Sequence, residues 1–171
     1  MIRYGLTLCL ICVIASAALA GVNSLTKAKI ASQQDSEKTT GLKEVMASGE
    51  RFEEVKSGQQ TLYYKVYNKE NSFIGVAFIA TGKGYSSSIE TMAGMALDGT
   101  ISCVKVLSQN ETPGLGARVS EPSFTRQFTN RNINNLGEVQ AITGATISSN
   151  AVMNSVHKKA EEIKELLKND Q

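Results

Sequence analysis

The chain contains little of what most enzyme active sites are built from. Its 171 residues include no tryptophan, a single histidine and three cysteines. Cys9 and Cys12 lie in an apolar N-terminal segment and Cys103 is alone in the remainder, which argues against a disulfide framework and against a cysteine metal site. With His157 as the only histidine, we expect neither a zinc centre nor a serine triad, and we assign no catalytic residue and no metal ligand.

Charge is also too scarce to indicate a partner. The formal net charge is +2 at pH 7, and the basic residues are scattered along the chain. Attraction to nucleic acid requires a basic patch or stripe, so no nucleic-acid partner is expected. Hydrophobic residues make up 42% of the chain and charged residues 20%, which is typical of a globular protein with room for one domain.

A long uncharged run is present at the N-terminus, between Arg3 and Lys27. A hydrocarbon core about 30 Å thick requires about 20 mostly apolar residues, and the run meets that length. Ala18-Leu19-Ala20 resembles a signal-peptidase site, so a cleaved signal peptide is the alternative. The run continues past these residues, which favours a retained transmembrane anchor over residues 1–26. Positive charges flank both ends of the run and do not indicate which side of the membrane the remainder occupies.

The rest of the chain predicts a linker followed by an α+β domain. Residues 27–50 are polar and proline-free, which is typical of a stalk or linker helix. In the domain, residues 51–171, the runs 61–67 and 73–79 have strand composition, and Asp98-Gly99 marks a turn before a third run, 100–107. With a short helix expected over residues 122–128, the pattern predicts an antiparallel sheet packed by helices.

The last predicted helix, over residues 149–167, has an apolar stripe and a hydroxyl-rich segment before it. Two interpretations of that segment remain open: Ser148 or Ser149 is an ordinary N-cap, or the segment around Gly144 binds a phosphate through the free amides of the helix N-terminus. The stripe consists of Val152, Met153, Val156, Ala160, Ile163 and Leu167.

Two glycine-containing loops precede this helix. The first, Gly82-Lys83-Gly84-Tyr85, follows a hydrophobic strand, and the second, Glu111-Thr112-Pro113-Gly114-Leu115-Gly116, sets two glycines around a leucine after a rigid proline. Either loop can be a simple turn. The second can also press its backbone and Leu115 against a flat ligand.

Taken together, these two loops and Thr143-Gly144-Ala145-Thr146-Ile147-Ser148-Ser149 resemble one family. They are similar to the FMN-binding domain of the G subunit of Rnf-type ion-translocating electron transport complexes. The related C subunit of the sodium-translocating NADH:quinone oxidoreductase is the alternative. We favour the Rnf-type protein because the chain lacks the longer insertions expected of the sodium-pump homologue.

The resemblance implies a membrane-anchored carrier of covalent FMN that relays electrons within a ferredoxin:NAD oxidoreductase complex, rather than a stand-alone enzyme. A flavin transferase would esterify FMN to Thr146, and the partners would be the other membrane subunits. The protein would be a single-pass protein of the cytoplasmic membrane with its soluble domain on the extracytoplasmic side. Besides Thr146, the cofactor-binding residues implied are Thr143, Gly144, Ala145, Ser148, Glu111, Thr112, Pro113, Gly114, Leu115 and Gly116.

The chain departs from the family pattern at two positions, and two other function classes are considered. Thr143 stands where serine or aspartate is more common, and Gln109 stands where the family often has histidine. Ser155 to Lys158 matches the Ser-x-x-Lys motif of penicillin-recognising hydrolases, but the companion motifs are absent from the sequence. The remaining alternative is an anchored module that binds a ligand without redox chemistry.

Overall fold

The computed structural model of the chain describes residues 2–58 and 60–169. Met1, Gln59 and residues 170–171 lie outside the described residues, and with them the first residue of the predicted anchor and the end of the predicted domain. The chain divides into two compact units, residues 1–38 and residues 39–171.

The N-terminal unit is helical. Helix α1 extends over Ile2–Val45. Among the described residues one helical stretch is long and apolar enough to cross a membrane, Tyr4–Lys27, with a mean hydropathy of 2.4. Its large apolar side chains are exposed, which suits a helix surrounded by lipid.

The second unit is built on a six-stranded antiparallel sheet in which each strand pairs with the next along the chain. The predicted α+β class is therefore confirmed. The strands are β1 (Arg51–Ser57), β2 (Gln60–Tyr67), β3 (Phe73–Lys83), β4 (Ser88–Ala96), β5 (Thr100–Ser108) and β6 (Arg131–Asn132). The helices after β5 are a 3-10 turn (Gly116–Ser120), α2 (Pro122–Thr125), two further 3-10 turns (Arg126–Phe128 and Ile133–Glu138) and α3 (Thr146–Asn169).

One face of the sheet is covered by α3. The predicted apolar stripe packs against β3 and β4, and its central residues Val152, Val156, Ala160 and Ile163 are fully buried. Burying each of the two valines and the isoleucine contributes about 1.5–3 kcal/mol, so the stripe is sufficient to hold the helix on the sheet. Gly82 allows the close approach, because a Cβ there would overlap the backbone carbonyl of Ala151.

The opposite face is covered by the end of α1 and the residue after it. Leu42, Val45 and Met46 are buried there in a second hydrophobic cluster. The Ser102 hydroxyl on β5 donates to the Val45 carbonyl at 2.6 Å, which satisfies a carbonyl at the helix end. Residues 39–50, the last part of the predicted stalk, thus belong to the second compact unit, which contains the sheet.

Candidate cofactor-binding site

The two glycine-containing loops and the first turn of α3 meet in one pocket of about 430 Å³. This volume is within the range of about 300–1,000 Å³ that is usual for small-molecule sites. The pocket is lined by Tyr85, Glu111, Thr112, Leu115, Gly116, Gly144, Ala145, Thr146, Ile147 and Ser148.

Most residues of the predicted site line this pocket, but three do not. Thr143, Pro113 and Gly114 are exposed and are not part of its wall. Conversely, Tyr85 and Ile147 belong to the wall although the predicted site did not include them. Both residues lie within the segments that carry the family resemblance. Their large apolar side chains beside the motif residues are the feature of the sequence that could have identified them as pocket residues.

Helix α3 begins at Thr146, three residues before the predicted start. Ile142 and Ala145 form a turn through a 2.9 Å hydrogen bond from the Ala145 amide to the Ile142 carbonyl. Gly144 lies in this turn at φ 82°, a backbone conformation that a residue with a Cβ adopts only with strain. The turn ends where the helix begins, and the unpaired amides of the first helical turn therefore lie at the pocket.

The expectation that Ser148 or Ser149 caps the helix is wrong. Both serines lie inside the first turn of α3 and both are buried. The Ser149 hydroxyl accepts a hydrogen bond from the Ile142 amide at 3.0 Å, and the Ser148 hydroxyl donates to Glu111. These two hydroxyls therefore bind groups outside α3 and do not cap it.

Thr146 differs from its neighbouring hydroxyls. It is exposed, it lines the pocket, and it is the first residue of α3. The dipole and the free amides of a helix N-terminus favour an anion at this place. Among the hydroxyls of residues 143–149, Thr146 alone combines exposure with a place in the pocket wall.

Glu111 is a buried carboxylate, only 6% exposed, that ties the three segments together. Its two oxygens accept hydrogen bonds from the amides of Tyr85, Ser86 and Ser87, each at 3.0 Å, and from the Ser148 hydroxyl. Burial raises the pKa of Glu111, but the hydrogen bonds from Ser148 and the three amides outweigh it and hold the pKa below its usual value. Glu111 is therefore ionised at neutral pH.

Two glycines provide the space that this carboxylate occupies. A Cβ on Gly84 would lie 2.6 Å from Glu111 Oε1, and a Cβ on Gly116 would lie 2.7 Å from Ser148 Oγ and 2.9 Å from Glu111 Oε2. Real Cβ atoms do not approach other atoms so closely. Positions 84 and 116 therefore require glycine, because the Glu111 side chain occupies the space in which a Cβ would lie.

The mouth of the pocket is apolar. Tyr85 is 73% exposed, Ile147 55% and Leu115 48%. Large apolar side chains grouped at a concave surface are typical of sites that hold a flat aromatic ligand. An apolar mouth fits the ring system of FMN, and an exposed threonine at a helix N-terminus fits its phosphate.

The residues of the Ser-x-x-Lys match do not form a second site. Ser155 lies within α3, and its hydroxyl donates to the Val152 carbonyl at 3.1 Å. Lys158 is exposed on the same helix. The match therefore reflects ordinary helical positions.

Comparison with known proteins gives two family matches. Residues 84–161 match the FMN-binding domain family, and residues 1–45 match the RnfG N-terminal region. The first match begins and ends within the loops and the helix that form the pocket. The second covers α1, including the stretch that is apolar enough to cross a membrane.

Curated relatives cover most of the chain. It is 32% identical over 165 residues to the G subunit of an ion-translocating oxidoreductase complex from Methanosarcina acetivorans, covering 88% of each chain. It is 30% identical over 161 residues to the G subunit of the proton-translocating ferredoxin:NAD(+) oxidoreductase complex of Clostridium ljungdahlii, covering 89% of this chain and 85% of the relative. The crystal structure of Shewanella oneidensis NqrC shares the fold, with a TM-score of 0.50, 20% identity and 66% of each chain covered. The chain therefore belongs to the family of G subunits of Rnf-type ion-translocating oxidoreductase complexes, as a membrane-anchored protein with an FMN-binding domain.

Proposed function

We propose that this protein carries FMN as a phosphoester on Thr146 and relays electrons within an Rnf-type ion-translocating complex. The observation that carries the proposal is the position of Thr146, an exposed residue of the pocket wall at the N-terminus of α3. The relatives are subunits of multi-subunit complexes, so the electron donor and acceptor would be other subunits. The protein would act as a carrier and not as a stand-alone enzyme.

The pocket residues have distinct roles in this proposal. The free amides at the start of α3 and the helix dipole would hold the phosphate, and Gly144 lets the ligand approach the backbone. Tyr85, Leu115 and Ile147 would hold the ring system and exclude water from one side of it. When bound, FMN supplies the capacity to accept and release electrons.

Attachment would be catalysed by a flavin transferase that uses FAD. The Thr146 Oγ1 would form a bond to the phosphorus of the FMN half of FAD, the phosphoanhydride bond would break, and AMP would leave. The hydroxyl proton would pass to a base of the transferase. Serine could replace threonine in this reaction because it offers the same oxygen, whereas alanine could not.

The intact mass of the full chain, co-expressed with a flavin transferase, tests the proposal. We expect wild type and Thr146→Ser to gain the mass of FMN less one water, and to fluoresce after denaturing electrophoresis. Thr146→Ala should remain unmodified. Thr143→Ala is the matched control, because Thr143 is an exposed threonine three residues away that does not line the pocket, and it should be modified like wild type.

Two results would contradict the proposal. Modification of Thr146→Ala would assign the attachment to another hydroxyl. An unmodified wild type, together with a positive result for a known substrate of the same transferase, would favour the anchored module that binds a ligand without redox chemistry.

We further propose a retained single-pass anchor in the cytoplasmic membrane, with the domain on the extracytoplasmic side. The match of residues 1–45 to the RnfG N-terminal region supports retention, because a cleaved signal peptide would remove much of that region. Protease added to intact spheroplasts should digest the domain, and the membrane fraction should keep the N-terminal residues. Protection of the domain until the membrane is lysed would reverse the orientation.

A further inference from the structure

The turn between β3 and β4 has the backbone of an anion-binding site. The amides of three consecutive residues, Tyr85, Ser86 and Ser87, donate to one carboxylate. Successive amides that converge in this way form a concave site that in other proteins binds phosphate and similar anions. In this chain the anion is internal, because the Glu111 side chain from another loop occupies the position.

The acceptor capacity of Glu111 is fully used by the protein. A carboxylate offers about four lone-pair sites. Oε1 accepts from Ser86 and Ser87, and Oε2 accepts from Tyr85 and from the Ser148 hydroxyl. Glu111 therefore has no acceptor position left for a ring N–H or a hydroxyl of a ligand, although it lies in the pocket wall.

A neutral isostere cannot replace this carboxylate without loss. In a glutamine at position 111, the NH₂ group would stand either at Oε1 against the amides of Ser86 and Ser87, or at Oε2 against the amide of Tyr85. Only the Ser148 hydroxyl can reverse and accept. At least one of the three amides would therefore face another donor, and the site requires a group with two accepting oxygens.

We propose that Glu111 is a positioning residue that serves flavin attachment as an internal anion and does not itself bind FMN. It fastens the first turn of α3 to the 85–87 turn through Ser148, two residues after Thr146. The attachment hydroxyl is thereby presented on a preformed helix start, and the phosphate is directed to the amides of α3 because those of the 85–87 turn are occupied. This inference rests on the proposed attachment at Thr146.

Chemical rescue tests the inference. In Glu111→Ala the anion is removed and the space it filled is left open, so that added formate can supply the same two oxygens. We expect the rate of FMN attachment to the full chain to fall by about tenfold or more in Glu111→Ala and Glu111→Gln, because the loss of a single hydrogen bond to a charged group already corresponds to about tenfold in rate. Sodium formate should raise the rate severalfold in Glu111→Ala, while sodium chloride at equal ionic strength should not. Glu111→Gln, in which the space is filled, should not respond.

Thermal unfolding of the same variants without flavin separates this inference from the attachment itself. Formate should raise the unfolding temperature of the full Glu111→Ala chain in detergent, and should leave wild type and Glu111→Gln unchanged. This arm remains informative if no chain accepts FMN, a result that would instead refute the attachment at Thr146. Glu138→Gln is the control, because Glu138 is an exposed glutamate paired with Arg131, and it should match wild type in both measurements.

Ser148→Ala is the second variant, for the case that Glu111→Ala does not fold. It keeps the three amide bonds to Glu111 and removes only the link to α3, so attachment should slow while formate has no effect. Wild-type attachment rates in both Glu111→Gln and Ser148→Ala would overturn the inference. So would a folded Glu111→Ala chain that responds to formate in neither measurement.

Discussion

The substitution Gly116→Ala adds one methyl group at the point where the Glu111 carboxylate meets α3. Its Cβ would lie 2.7 Å from Ser148 Oγ, 2.8 Å from Glu111 Cβ and 2.9 Å from Glu111 Oε2. Both Glu111 and Ser148 are buried and hydrogen-bonded, so neither can turn away without giving up its partner. We therefore expect the substitution to separate the 111–116 loop from the first turn of α3.

The expected loss of stability follows from two contributions. Overpacking a well-filled interior costs about 1–3 kcal/mol. A hydrogen bond to a charged group, here the one from Ser148 to Glu111, contributes about 1.5–3 kcal/mol. We expect the free energy of unfolding to fall by about 2.5–6 kcal/mol, a large part of the roughly 5–15 kcal/mol that is typical of a folded domain.

Urea unfolding of the full chain in detergent micelles, followed by circular dichroism, measures this loss. Gly137→Ala is the matched control, because a Cβ on Gly137 meets no atom within 4 Å and this glycine is exposed. That variant should lose no stability. If Gly116→Ala and Gly137→Ala unfolded at the same urea concentration, Gly116 would not be needed to make room for the Glu111 carboxylate, and the reasoning would be refuted.

Three further substitutions test other contacts, each by the same unfolding measurement. The pKa of Glu111 is lower in the folded chain than in the unfolded chain, so the ionised side chain stabilises the fold at a pH above the unfolded pKa, and this stabilisation is lost as the pH falls through the folded pKa. Glu111→Gln should remove this part of the pH dependence of stability. An unchanged pH profile in Glu111→Gln would contradict the prediction. Gly82→Ala should push α3 away from β3 and cost about 1–3 kcal/mol, since its Cβ would overlap the Ala151 carbonyl; wild-type stability would mean that α3 can shift freely. Ser102→Ala removes the donor to the Val45 carbonyl and should cost about 1 kcal/mol, and no loss would show that this bond holds the end of α1 only weakly.

The sequence predicted the elements that carry a strong apolar signal. The apolar runs that became β2, β3 and β5 were identified by their strand composition and the turns between them, and α3 by an apolar stripe at helical spacing. Strand β1 has no such pattern and was not delimited. Its sequence, Arg51–Ser57, is rich in charge and mostly exposed, and it is a strand because it pairs with β2 at the edge of the sheet. Pairing of this kind leaves no apolar pattern in the sequence.

The start of α3 and the end of α1 differ between the structure and the prediction from sequence. Both depend on contacts with residues outside the helix. The start of α3 is fixed by bonds from Ser148 to Glu111 and from Ile142 to Ser149. The burial of Leu42 and Val45 in a segment that is otherwise polar depends on the face of the sheet above them. Local propensity carries no information on the contact of Ser148 with Glu111 or on the packing of Leu42 and Val45, because these partners are separated by long stretches of chain.

The glycines of the recognised loops serve two different physical needs, and the structure separates them. Gly114 and Gly144 adopt φ values of 75° and 82°, so any residue with a Cβ would be strained there even in open space. Gly84 and Gly116 do not need positive φ and are small because the buried Glu111 carboxylate fills the space beside them. In Glu111→Ala that space is partly vacated, so Gly84→Ala and Gly116→Ala should cost less stability in that background, whereas Gly114→Ala and Gly144→Ala should cost the same in both. Glycines in loop motifs usually indicate a need for backbone flexibility. In this chain Gly84 and Gly116 are instead required because the charged side chain of Glu111 lies beside them.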